Sequence, residues 1–128
     1  MIARAFLAVS ALVWLPYGIY CFFQPGYLAG AAGVAASSAT GTVELRAMYG
    51  GLQAGIGALA LFAALRPAWV PHALVALAFL CAGLFLSRLA GAAAAGEVSG
   101  YTAFGLAFEF TSAVVAVRLL PRASTALA

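Results

Sequence analysis

Apolar residues run along this chain in four long stretches, separated by clusters of glycine, proline and small polar residues. The stretches cover approximately residues 5–23, 43–65, 70–89 and 101–120. A helix needs about 20 residues to cross roughly 30 Å of hydrocarbon, and each stretch meets that length. None keeps the strict alternation of a transmembrane barrel strand. The pattern predicts an all-α protein: one membrane domain over residues 1–128, folded as a four-helix transmembrane bundle.

The first stretch follows Arg4 and could pass for a secretory signal, with the small residues Ala29–Ala32 mimicking a cleavage site. Its apolar length exceeds the roughly 7–15 residues of a signal core, so it is read as a retained span. Pro16 lies in its middle and cannot donate to the helix ladder, which predicts a kink and leaves the Leu12 carbonyl without that donor. The link between the second and third stretches, Arg66-Pro67-Ala68-Trp69-Val70-Pro71, is short and stiff, with Trp69 expected at headgroup level. The other connections, 24–42 and 91–100, are longer and rich in small residues. The former is apolar enough to form a short interfacial helix.

Composition sharpens the class. Hydrophobic residues make up 66% of the chain and charged residues 7%, where a soluble domain carries about 25% charged. Lys, Asp and Asn are absent. The net charge of +3 comes from scattered arginines that form no basic stripe, which argues against nucleic acid as a partner. With four spans the two ends share a side. That side carries Arg4, Arg66, Arg118, Arg122 and His72, against Arg46 and Arg88 on the other, so the positive-inside rule places both termini in the cytoplasm.

The remaining chemistry is sparse. Cys21 and Cys81 fall at different depths along their spans and read as two small buried residues rather than a disulfide. One His, two separated Cys and three Glu supply no transition-metal ligand set. Without Asp there is no Ser–His–Asp arrangement. Gly50-Gly51 falls inside a span rather than in a phosphate-binding loop. No residue pattern names a cofactor.

What stands out is a polar string inside the second span: Glu44, Arg46, Tyr49, Gly50, Gly51 and Gln53. Residues three or four apart share a helix face. Arg46, Tyr49, Gly50, Gln53 and Gly57 then form one stripe, and Glu44, Met48, Gly51 and Gly55 its neighbour. Gly51 and Gly55 make a GxxxG pair, read as a packing face. The third span ends with Cys81, Leu84, Phe85 and Arg88 on one side, and the fourth carries Tyr101, Gly105, Glu109 and Ser112. Glu109 lies about 12 Å beyond Tyr101 at helical rise, near the midplane. An intramembrane carboxyl must be protonated or find a donor. Arg46, Arg88, Tyr49, Tyr101 and Gln53 are the candidates, expected to converge inside the bundle with Glu109 at the floor and both arginines near the rim. Glu44 pairs with Arg88 or reaches the interface. The plain alternative is that this network is structural glue holding the helices in register.

The run Glu44-Leu45-Arg46-Ala47-Met48-Tyr49-Gly50-Gly51-Leu52-Gln53-Ala54-Gly55-Ile56-Gly57 resembles the hallmark of a bacterial family of small four-span membrane proteins whose function is unassigned, grouped with the DoxX-like membrane proteins. Ser87-Arg88-Leu89-Ala90-Gly91, followed by Tyr101 and Glu109, is similar to that family's second half. The resemblance implies a bundle in the bacterial inner membrane, with quinone-linked redox work or binding of a lipidic small molecule. Three functions follow for test. The first is a pocket of Arg46, Tyr49, Gln53, Arg88, Tyr101, Glu44 and Glu109 that binds a quinone or isoprenoid lipid, with Glu109 the candidate catalytic acid or base. The second is a non-enzymatic accessory or assembly subunit, docking a partner membrane subunit or a second copy. The third is a small-solute transporter.

Overall fold

The computed structural model describes residues 1–125, with side chains through Leu120. The Arg122 side chain, counted above for orientation, lies outside the described residues. Every regular element among the described residues is helical. In chain order they are α1 (Ile2–Phe23), α2 (Tyr27–Ala32), α3 (Ala39–Leu45), a π-helical segment (Arg46–Gly51), α4 (Leu52–Leu65), a 3-10 turn (Pro67–Trp69), α5 (Val70–Ala95) and α6 (Gly100–Thr125). Four helices are long and apolar enough to cross a membrane: Ile2–Phe23, Ala39–Leu65, Pro67–Ala95 and Gly100–Leu120. The protein is a small multi-pass membrane protein.

All four helices are longer than the hydrophobic pattern predicts, and local chemistry explains the new ends of the second and third and the start of the fourth. The second begins at Ala39 rather than 43 because Ser38 caps it: its backbone is extended and its Oγ accepts the Gly41 N–H at 3.0 Å. The third continues past 89 to Ala95, because Ala92–Ala95 are strong helix formers. Gly96, at φ 68°, then closes the helix in the left-handed conformation that favours glycine. The connection 91–100 therefore shrinks to Gly96–Ser99. The Ser99 Oγ accepts the Thr102 N–H at 3.2 Å and starts α6, which runs on to Thr125. The first span begins at Ile2 and passes Pro16 without ending.

Contacts divide the chain into two compact units, one holding α1–α4 through Pro67 and the other α5 and α6 from Ala68. In the first unit α1 buries Leu7, Ala11, Trp14, Gly18 and Cys21, a three-and-four spacing that makes one helix face. The α1–α4 contact is made backbone to backbone. A Cβ on Gly57 would strike the Leu15 backbone, one on Gly18 would strike the Ala54 nitrogen and the Gly50 oxygen, and one on Gly50 would sit 2.8 Å from the Phe22 Cα. The order Leu15–Gly57, Gly18–Ala54, Phe22–Gly50 shows that the helices run antiparallel. At the far end, Arg4 Nε donates to the Ala64 carbonyl at 2.7 Å, satisfying one of the orphan acceptors at the C-terminus of α4. The expected short helix in the first connection is α2. Tyr27 meets Tyr20 edge to face at 5.1 Å, and Leu28 is fully buried.

The Gly51–Gly55 pair does not pack as expected. A Cβ on Gly55 would meet nothing, and one on Gly51 would touch only its own helix. The packing glycines are Gly50 and Gly57, seven apart on the neighbouring stripe, where α1 lies. Gly18→Ala and Gly57→Ala should each destabilise the protein by about 1–3 kcal/mol, the usual cost of overpacking. Gly55→Ala should be neutral or stabilising by up to about 1 kcal/mol, since it only improves helix propensity. Unfolding in mixed detergent micelles checks this, and equal losses at all three positions would contradict the assigned face.

Candidate functional site

In the second unit, the sequence of α6 brings Tyr101, Gly105, Glu109 and Ser112 onto one face through spacings of four, four and three. Glu109 is 3% exposed, the one carboxylate among the buried polar residues described. Its partner comes from α5. Arg88 Nη2 donates to Glu109 Oε1 at 2.6 Å, and Nε lies 3.0 Å from Oε2 and 3.2 Å from Oε1. This is the two-pronged guanidinium–carboxylate geometry, in which a planar fork meets both acceptor oxygens. A lysine could supply the charge but not the fork.

The surroundings fit the guanidinium closely. A Cβ on Gly105 would fall 2.7 Å from Arg88 Nε and 2.9 Å from its Cζ, so this glycine leaves the space that the guanidinium fills. One turn further out, the Tyr101 ring lies with its centroid 5.9 Å from Arg88 Cζ, within cation–π range. Phe85 of α5 packs against Phe110 of α6 at 5.2 Å and closes one flank. On the other side of the pair, the thiol of the fully buried Cys81 hydrogen-bonds with Ser112.

Arg88 does not sit near the rim. With α5 running to Ala95, seven residues, or about 10 Å of helix, separate it from the turn. Glu109 lies nine residues, or about 13 Å, from the start of α6. The two groups thus meet at nearly one level, well inside the apolar length of both helices. The shorter span expected for α5 caused the misplacement. Glu44 is not required as a partner for Arg88, whose guanidinium is held by Glu109.

The other candidates lie in the first unit. Arg46 and Glu44 are exposed rather than buried, while Tyr49 and Gln53 are half-buried. The helix is also irregular here. Arg46–Gly51 forms a π-helical segment, in which the Leu52 N–H bonds back to the Ala47 carbonyl five residues earlier. That turn breaks the three-and-four spacing on which a continuous stripe from Arg46 to Gly57 depends. Such single-turn π segments are rare and are frequent at functional sites. Sequence reasoning missed this segment, and its only advance sign was the Gly50-Gly51 pair inside a span. It also missed the cap role of Arg4 and the space-giving role of Gly105, both of which depend on a neighbour brought close by folding.

Four apolar helices and an intramembrane ion pair define a small polytopic membrane protein with a buried polar site. The model of a family described as a domain of unknown function, DUF4345, matches residues 2–120, and the chain belongs to that family. No curated protein and no solved structure matches it.

The ion pair makes a direct prediction. Arg88→Ala should cost about 3–5 kcal/mol of unfolding free energy, because it leaves a buried carboxylate unpaired. Replacing both partners by apolar residues, Arg88→Met with Glu109→Leu, should recover most of that loss. A double-mutant cycle of unfolding in mixed micelles measures the coupling; additive losses would remove Arg88 as the group that compensates Glu109.

Proposed function

We propose that this protein binds a lipidic small molecule with a polar head, such as a quinone or an isoprenoid, at the Arg88–Glu109 pair. It does so in a bacterial inner membrane with both termini in the cytoplasm. One observation carries the reading. The Arg88 side chain is 28% exposed, while that of its partner Glu109 is 4% exposed. The carboxylate holds the guanidinium in a fixed orientation from the inside, and the guanidinium remains reachable from outside, beside the Tyr101 ring and between apolar helices. A preoriented arginine next to an aromatic ring suits a carbonyl or anionic head joined to a flat or apolar body. An ionisable pair inside a span is a functional-site candidate in its own right. The resemblance to DoxX-like membrane proteins points the same way. If a proton is exchanged with the ligand, Glu109 is the group that gives or takes it, and Arg88 stabilises the negative charge that develops.

Saturation of both Glu109 oxygens by Arg88 favours a second reading, an accessory subunit in which the pair only pins α5 against α6. Mass spectrometry of lipids retained by gently purified protein separates the two. Under the binding proposal, the wild type carries an enriched quinone or isoprenoid that Arg88→Lys and Glu109→Gln both lose while still folded. Wild type without any enriched lipid, or variants that keep it undiminished, would leave the structural reading.

A further inference from the structure

The span Ala39–Leu65 has two sides of different kinds. One carries Gly50 and Gly57, and α1 packs against it. The other carries Ala47, Gly51, Gly55 and Ala58, all exposed, at spacings of four, four and three. A Cβ on Gly55 would meet nothing, and one on Gly51 would approach only the Arg46 carbonyl of its own helix. The outer strip is as smooth as the inner one, yet among the described residues nothing lies against its glycines.

Two charges flank that strip. Glu44 and Arg46 are both exposed, and neither side chain has a hydrogen bond or an ion pair among the described residues. They cannot serve each other, because residues two apart on a helix do not face one another. At 3.6 residues per turn they stand about 160° apart around the axis, and Ala47 falls on the narrower arc between them. One flank of the strip is thus acidic and the other basic. Both charges lie about 30 Å from Leu65 at helical rise, at the margin of the apolar layer. An opposite charge within reach is worth more there than in bulk water.

We propose that this outward face is a two-fold interface with a second copy of the chain, packed on Ala47, Gly51, Gly55 and Ala58 and keyed by Glu44 of each copy against Arg46 of the other. Two copies inserted with the same orientation are related by an axis along the membrane normal, which sets the same span of each side by side, parallel and at one depth. Such an axis turns each flank of the strip toward the opposite flank of the other copy, as the two flanks pair across the seam of a parallel coiled coil. An acidic flank then meets a basic one, twice. The two charges differ by two residues, or about 3 Å along the axis, within reach of an arginine side chain. The glycines supply close backbone approach, a principal source of helix association in lipid, and the charges fix register and partner. The pattern is complementary to itself, which selects a second copy over an unrelated helix. The inference stands on the first unit alone and does not use the Arg88–Glu109 pair.

The test is energy transfer between donor- and acceptor-labelled copies of the full chain in phosphatidylethanolamine–phosphatidylglycerol liposomes, diluted stepwise with lipid. The dyes go on the N-terminal amine, which labels cleanly because the chain has no Lys. Wild type should show transfer that falls on dilution as a monomer–dimer equilibrium does. Glu44→Arg alone, or Arg46→Glu alone, sets like charges against each other and should weaken self-association about tenfold. A mixture of the two variants should recover wild-type association, because each supplies the charge that the other lacks; misfolded variants would not be rescued in this way. Gly55→Leu, whose side chain has open space within one copy, should abolish the transfer. Wild type that stays monomeric at every dilution would overturn the inference and leave the face to lipid or to another protein. Charge variants that associate like wild type, a mixture no tighter than its components, or undiminished transfer with Gly55→Leu would each overturn it as well.

Discussion

A single carboxylate inside an apolar hairpin constrains most of the second unit. Glu109 cannot be left charged and alone in hydrocarbon, so a donor has to arrive at its level. Only an arginine fork meets both oxygens at once. That requirement carries outward along the chain. Arg88 has to stand about as far before the turn as Glu109 stands after it, which makes the length of the turn and the positions of its caps matter. Gly96 ends α5 and Ser99 begins α6 within four residues, and the small remaining offset is spanned by the long arginine side chain. Gly105 has to be without a side chain because the guanidinium occupies that volume. A one-residue change in the turn would move the two partners apart by a fraction of a helical turn, enough to break a two-pronged contact.

The first unit is held by other means. Its main contact contains no charge. Glycines at 18, 50 and 57 let the helix backbones approach to a distance that any side chain would prevent. In lipid such closeness replaces the hydrophobic drive that water would supply, because dispersion contacts accumulate over two smooth surfaces. Arg4 completes the unit by serving the end of α4 rather than acting only as a charge at the membrane edge.

The class of fold was legible from hydrophobic run length alone, because the requirement that lipid imposes is itself a matter of length and composition. The α6 face of Tyr101, Gly105, Glu109 and Ser112 was also legible, since an undistorted helix obeys its spacing, and Glu109 was identifiable as needing a donor from its cost in lipid. Other features were hidden for specific reasons. The ends of α3, α5 and α6 depend on caps and alanine runs that a hydrophobic window passes over. The packing role of Gly50 and Gly57, against the more familiar pattern of Gly51 and Gly55, depends on where α1 lies, and no local motif encodes that. The π-helical segment defeats periodicity by construction: a stripe drawn at three-and-four spacing cannot anticipate the turn that departs from it. Arg46 and Glu44, which belong to the most conspicuous motif in the sequence, stand exposed.

The two units treat buried polarity in opposite ways, and the contrast bears on function. Where Arg88 meets Glu109, every demand of the carboxylate is met within the chain, and such a pair is as useful for register as for chemistry. Gln53 Oε1 is shielded and has no hydrogen-bond partner among the described residues. A neutral amide can carry such a deficit where a carboxylate cannot, because one unmade hydrogen bond costs far less than an uncompensated buried charge. Breaking the charged pair by removing one partner leaves the other buried and uncompensated, whereas an apolar pair of similar volume could fill the same place.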